Sequence, residues 1–300
     1  MTINSRLAFV FSGQGSQKVG MLAEVASDFA IVQKTFADAS SVLGYDLWDL
    51  CQNGEQEQLN STEITQPLLL TSSVALWRVW QEKNGTQPAL LAGHSLGEWS
   101  ALVCSGVVAF TDAVDLVRKR GAYMQTAVPK GEGSMAAVLN MEDEKILEIC
   151  KEASDIGVVE AVNFNSPGQV VIAGQVAAVE KASELLKAAG AKRVLPLPVS
   201  APFHTSLMKP AAEKMATHIA ATDFHVPKIP VVHNVNAKTE ADPVAIKQLM
   251  IQQINNPVLW VDCVNTLISS GITTVVECGP GKVLCGLCTR IDKSLNAFSL

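Results

Sequence analysis

Pro88-Ala89-Leu90-Leu91-Ala92-Gly93-His94-Ser95-Leu96-Gly97-Glu98-Trp99-Ser100-Ala101-Leu102-Val103 joins an apolar run to a helical pattern through a glycine-flanked serine. Pro88–Ala92 is a short apolar run of the kind that makes a buried strand, and Glu98 onward reads as a helix ending at Gly106. Ser95 therefore falls on a strand-to-helix turn. Gly93 and Gly97 carry no β-carbon, so the chain can turn tightly there and neighbouring backbone can close in. Gly-x-Ser-x-Gly in this setting is the pattern of a nucleophile elbow: the hydroxyl stands exposed, and the next amide, that of Leu96, points at a developing oxyanion. The positive end of the new helix favours the same charge. A turn of this composition can also be purely structural. A serine nucleophile needs, besides the elbow, a base, a second oxyanion donor and groups that hold substrate.

Working outward toward the N-terminus, Thr65-Gln66-Pro67 opens a largely apolar helix over Leu68–Trp77 that should pack under the elbow, with Gln66 able to face the site. Further back, Leu7–Phe11 reads as a first strand opening into Ser12-Gly13-Gln14-Gly15-Ser16-Gln17. The glycines do not make a dinucleotide fingerprint, because Lys18 stands at the third glycine position, and Gly281-Lys282-Val283 fails as a phosphate loop for want of Ser or Thr. A loop of this kind can still offer backbone amides: Gln14 is a candidate second oxyanion donor, with an ordinary turn as the alternative.

On the C-terminal side, Thr111 is a plausible N-cap for a helix on which Ala113, Val117, Arg120 and Met124 share one apolar face. An arginine in that stripe needs an anion, either an internal carboxylate or a carboxylated substrate, unless it snorkels at the helix edge. After a linker-like Val128–Gly133, the pattern becomes strand (Met135–Leu139), helix (Glu142–Glu152), two strands (Val158–Phe164, Val170–Ala173), helix (Val176–Ala189) and strand (Arg193–Val199). This β-α-β-β-α-β order is that of a ferredoxin-like unit inserted in the larger domain, with Asn163–Gly168 as its hairpin turn. The chain returns through Ser200-Ala201-Pro202-Phe203-His204. His204, beside the domain junction, is the best base among the five histidines; His94 is assigned packing or support, and His218, His225 and His233 structural or solvated positions. Ile229–Val235 and Thr273–Cys278 read as late strands, and the Gln252–Trp260 turn could offer a carbonyl to an imidazole N–H.

Composition bounds these readings. With 48% hydrophobic residues the 300-residue chain can fill a substantial core. A formal charge of −6 argues against general nucleic-acid binding. No apolar run is long enough to span a bilayer, the Met1–Arg6 stretch lacks a signal-peptide pattern, and seven scattered cysteines suit a reducing compartment, so a cytoplasmic location is expected. Cys285-Gly286-Leu287-Cys288 lacks further ligands beyond Cys278 and is read as apolar filling, with no metal.

Taken together, Phe9–Gln17, Gly93–Glu98, Leu116-Val117 with Arg120-Gly121, Asn163–Gly168, Pro202 with His204 and Met208, Asn256-Pro257 with Trp260, and Gly279–Leu284 resemble the malonyl-CoA:acyl carrier protein transacylases of fatty-acid synthesis over essentially the whole chain. The resemblance implies an α/β fold, an α/β-hydrolase-like catalytic domain over 1–127 and 203–300 carrying a ferredoxin-like subdomain over 128–202, with the site between them. It implies Ser95 as nucleophile, His204 as base, Arg120 as malonate anchor, the amides of Gln14 and Leu96 as oxyanion hole, and the carbonyl near Gln253 orienting His204 in place of a triad acid. It implies malonyl-CoA and acyl carrier protein as partners, no cofactor beyond these substrates, neither nucleic acid nor membrane, and a monomer. Phe203 resembles the malonyl-preferring branch of related polyketide acyltransferases, and Arg118, Lys119 and Lys282 are candidates to meet the acidic carrier. Ser12 and Trp99 depart from the family's commoner proline and tyrosine, which bears on loop rigidity and pocket shape. A thioesterase would share the elbow, and a noncatalytic docking module is the other alternative.

Overall fold

The apolar run at Leu7–Phe11 is the buried half of β1 (Ile3–Phe11), the central strand of a parallel sheet in the computed structural model, which describes residues 3–199 and 201–300. Met1 and Thr2, at the start of the N-terminal stretch, and Ser200, at the start of the returning segment, lie outside the described residues. Side chains on a strand alternate between faces, and β1 shows it: Leu7, Phe9 and Phe11 enter one core while Ala8 and Val10 enter another. Both faces must therefore be covered, as in other parallel sheets. The Thr62–Glu82, Leu96–Ser105, Phe110–Thr126 and Lys209–Ala221 helices bury apolar residues in the first core, and the Trp260–Ser269 and Val283–Ile291 helices in the second.

The other strands of this sheet are β2 (Gln87–Gly93), β7 (Val231–Val232), β8 (Thr274–Glu277) and β9 (Asn296–Ser299), in the order β7-β2-β1-β8-β9. The insertion contributes β3 (Gly133–Leu139), β4 (Val159–Ser166), β5 (Gln169–Gln175) and β6 (Arg193–Pro196), an antiparallel sheet ordered β4-β5-β3-β6. With the Asp143–Ala153 and Val176–Ala188 helices on one face, it has the expected β-α-β-β-α-β arrangement. Its other face, through Met135, Val162 and Val171, joins the large core. Two backbone hydrogen bonds stitch the units together: Phe164 N–H donates to Val258 O at 3.0 Å, and Val258 N–H to Val162 O at 2.8 Å.

Several boundaries differ from the sequence reading. The hairpin turn is only Pro167-Gly168, with Gly168 at a left-handed φ of 69°, so Asn163 and Asn165 belong to β4. Thr111 lies inside its helix, whose N-cap is Ala109 with no side-chain cap. The expected Ile229–Val235 strand shrinks to β7, because Pro230 has no N–H to give a ladder and His233-Asn234 turn inward to make buried side-chain bonds. β9 had no counterpart in the sequence reading. No described helix is long and apolar enough to cross a membrane.

Candidate active site

Ser95 sits between β2 and the Leu96–Ser105 helix at φ 52° and ψ −108°, a conformation that side chains avoid and that packing must enforce. The packing comes from the glycines. A β-carbon at Gly97 would collide with the carbonyl oxygen of Phe11, and one at Gly93 with the backbone of Gly97. Asn234 then braces the turn from the adjoining segment: its Oδ1 accepts from Ser95 N at 2.8 Å and its Nδ2 donates to Gly93 O at 2.7 Å. Leu96 is the first residue of the helix, so its N–H has no intrahelical acceptor and is available at the elbow.

His204 reaches the serine from the segment that returns after the insertion. Its φ of 65° turns the ring inward, where it is buried. Nδ1–H donates to the backbone carbonyl of Gln253 at 2.8 Å, which leaves Nε2 as an acceptor for the Ser95 hydroxyl at 2.7 Å. The Gln253 carbonyl thus fixes the tautomer and direction of the ring. Burial, reinforced by the Arg120 charge, pulls the imidazole down to about 3, so the ring is neutral at physiological pH.

Arg120 is fully buried on the Phe110–Thr126 helix. Its Nη1 donates to Gln66 Oε1 and its Nη2 to Gln253 Oε1, each at 2.8 Å, and Nη2 also approaches Ser95 Oγ at 3.3 Å. Its partners are neutral: no carboxylate lies within ion-pair distance among the described residues. Of the anions weighed from sequence, the internal salt bridge is therefore not formed among the described residues. Burial lowers the guanidinium to about 10, with the Glu98 charge opposing that fall, and it stays cationic at neutral pH.

These groups open into a cleft of about 460 Å³. Gln14 and Leu96 line it beside Ser95, and Met135 and Val199 form part of its opposite wall. Gln14 is also tied back by its side chain, which donates to Thr62 Oγ1 at 3.3 Å. Gln66 does face the site. His94 supports it from the side, donating through Nε2 to Asn165 Oδ1 at 2.7 Å and leaning on Trp260. The two departures from the commoner family residues are both buried: Ser12 Oγ and Trp99 Nε1 have no protein partner among the described residues. The other histidines stay out of the cleft, His218 against the Tyr123 hydroxyl and His233 against Glu98. Burial pushes the thiols of Cys285 and Cys288 up to about 12, in keeping with their reading as apolar filling. Among the described residues, no group of three potential ligands could hold a metal. Sequence reasoning missed Asn234, Glu98 and His233, which meet only through the tertiary fold.

The family model described as an acyl transferase domain matches residues 8–293. A malonyl CoA-acyl carrier protein transacylase of Salmonella typhimurium is 56% identical over 296 residues, which covers 99% of this chain and 96% of that protein. The chain belongs to the malonyl-CoA:acyl carrier protein transacylase family. Solved structures of the transacylase family superpose over the whole molecule. An acyl carrier protein S-malonyltransferase from Vibrio cholerae matches with a TM-score of 0.97 and 56% identity, covering 98% of this chain and 96% of that one. A malonyl-transacylase in complex with its type II PKS acyl-carrier protein matches with a TM-score of 0.97 and 52% identity, covering 98% of this chain and 96% of that one. At these TM-scores and identities both share this chain's fold.

Proposed function

We propose that this transacylase moves a malonyl group from malonyl-CoA to the phosphopantetheine thiol of an acyl carrier protein through a malonyl ester on Ser95. One observation carries the reading: Ser95 Oγ lies 2.7 Å from the acceptor nitrogen of a neutral His204 and 3.3 Å from the guanidinium of an Arg120 that pairs with no carboxylate among the described residues. His204 Nε2 takes the hydroxyl proton as Oγ attacks the thioester carbon, and the amides of Leu96 and Gln14 receive the oxyanion. The carbon–sulfur bond breaks, and the proton passes from His204 to the departing coenzyme A thiolate. In the second half His204 takes the proton of the carrier thiol, sulfur attacks the ester carbon, and the proton returns to the Ser95 oxygen as it leaves.

Arg120 supplies the acyl preference. A malonyl group, esterified at one end, brings a free carboxylate at the other for the guanidinium fork, whereas an acetyl group leaves a buried cation with neutral partners only. The reading needs no cofactor beyond the two substrates. The catalytic domain is taken as 1–127 with 203–300 and the subdomain as 128–202, a division supported by β3 and β6 bounding the inserted sheet. A cytoplasmic location is supported by seven cysteines, all free.

The test is intact-protein mass spectrometry after brief exposure to malonyl-CoA or acetyl-CoA, followed by addition of holo carrier protein. A malonyl adduct that is absent in Ser95→Ala and discharged onto the carrier is the expected result. Rapid loss of the adduct to water at the rate of transfer would make the chain a thioesterase, and carrier binding with neither adduct nor turnover would make it a docking module.

A further inference from the structure

The acyl-transfer steps above make no use of Glu98, although it is fully buried directly behind the nucleophile on the first turn of the Leu96–Ser105 helix. Its carboxylate accepts three N–H groups: His233 Nδ1 at 2.7 Å, Asn234 N at 3.2 Å and Gln253 Nε2 at 2.7 Å. His233 is the only one that could carry a balancing charge. Its Nδ1 faces Glu98, and its Nε2 has no partner among the described residues. Among the described residues no Lys or Arg lies within ion-pair distance of Glu98.

The path from Glu98 to the cation of the site runs through one side-chain amide. Gln253 gives Nε2 to Glu98 and, at 2.9 Å, to Ser95 O, while its Oε1 accepts from Arg120 Nη2 at 2.8 Å. An amide can be turned end for end, and only this orientation presents an acceptor to the guanidinium; the other would set N–H against N–H. A carboxylate accepts and never donates, so Glu98 selects this orientation. The same arrangement keeps the balancing charge at one remove from Arg120.

We propose that Glu98 is a positioning residue for acyl selection: acting through the Gln253 amide, it holds the Arg120 guanidinium beside Ser95 while leaving it without a directly bound carboxylate. The proposal rests on the reading that Arg120 receives the free carboxylate of the acyl group. Glu98→Gln introduces N–H groups among three donors. Turning the His233 proton to Nε2 would bury a donor without an acceptor, so relief comes from turning the Gln253 amide, which misdirects Arg120. Acyl selection then suffers while the fold is kept.

The measurement is the rate of Ser95 adduct formation from malonyl-CoA and from acetyl-CoA, as a function of thioester concentration, in wild type, Glu98→Gln, Gln253→Met, the double variant and Arg120→Ala. The malonyl-to-acetyl preference should fall by about tenfold or more in Glu98→Gln, with the loss in KM for malonyl-CoA, a split that a general loss of folded protein would not produce. Because Glu98 acts through Gln253, the double variant should match Gln253→Met to within about twofold. An unchanged preference in Glu98→Gln, or losses that multiply in the double variant, overturns the proposal. Should Glu98→Gln not fold, Gln253→Met decides: a lost preference upholds the Gln253 route, and a wild-type preference overturns it. Arg120→Ala separates the two levels. If it keeps the preference, the anchor reading fails and takes the proposal with it; if it loses the preference while Glu98→Gln does not, only the proposal about Glu98 fails.

Discussion

At the carboxyl end of β2 the backbone is bent into a conformation that side chains avoid, whereas across the cleft β3 pairs with β5 without a register shift from Gly133 to Leu139. The two sides line one cavity. The first supplies Ser95, His204 and Arg120, each fixed by bonds from distant segments; the second supplies Met135, Asn163 and the Leu197–Val199 stretch. Ser95 and His204 on the first side both hold left-handed φ values, whereas the second side has β3 in unbroken register and irregularity only in β4 beside Asn163. Reactivity and enclosure are thus held by separate sets of interactions. They can therefore be broken separately.

The largest effect belongs to the strained side. Ser95→Ala should lower transfer by about 10⁴-fold or more, as removal of a nucleophile that works as one unit with its base does elsewhere, and should leave no malonyl adduct by mass spectrometry. Gly97→Ala attacks the same side through the backbone. Its new methyl has to displace the carbonyl oxygen of Phe11, and backbone cannot swing aside as a side chain can, so urea denaturation should show a loss of about 3 kcal/mol or more. The same assays on the wall, with Met135→Ala, should leave adduct formation at Ser95 intact in kind. Loss of the adduct there would collapse the distinction between the two sides.

A pH series sharpens the comparison without mutation. His204 sits at about 3 in the folded chain against 6.5 for a free imidazole. Between those values the unfolded chain binds the extra proton, so the His204 contribution to stability is complete above about pH 6.5 and is lost as pH falls toward 3. Activity should behave differently. The base remains neutral through that window, so the rate of Ser95 acylation, followed in a rapid-mixing assay, should show no inflection near 6.5 in wild type. Arg120→Ala removes a charge that depresses the imidazole and should move the acid limb upward. An inflection near 6.5 in wild type would mean that the base is not shielded as the geometry describes.

How far each side was legible in the sequence follows from the same difference. The inserted sheet is built from local patterns, and its β-α-β-β-α-β order was readable from alternation and helical spacing. The elbow was readable too, because Gly93, Ser95 and Gly97 are close in sequence. Arg120 was flagged by an anomaly, a cation in an apolar stripe. The bracing of these groups was not legible: Glu98 meets Gln253 across 155 positions and Ser95 meets Asn234 across 139, and no spacing rule links residues so far apart. The carbonyl that orients His204 carries no side-chain signature: the residues offered only the Gln252–Trp260 turn as a source of carbonyls, and the resemblance narrowed it to Gln253. Boundary errors have local causes: Asn163 and Asn165 look like turn residues by type, yet bonds to Val258 and His94 draw that part of the chain into β4 and against the large domain.

The smallest expected effect tests whether the wall is only a wall. Glu160, on β4, accepts from Ser206 N at 2.9 Å and from Ser206 Oγ at 2.6 Å, joining the insertion to the turn just beyond His204. These bonds are exposed, so water replaces them at little cost, and Glu160→Ala should lower stability by no more than about 1 kcal/mol. His204 keeps its ring position through Gln253 and Ser95, neither of which depends on Ser206. Turnover in Glu160→Ala should therefore stay within about twofold of wild type, a change of under half a kcal/mol in barrier. A tenfold loss would show that His204 is aligned from the insertion as well as from the parallel sheet, and the two sides would have to be treated as a single catalytic unit.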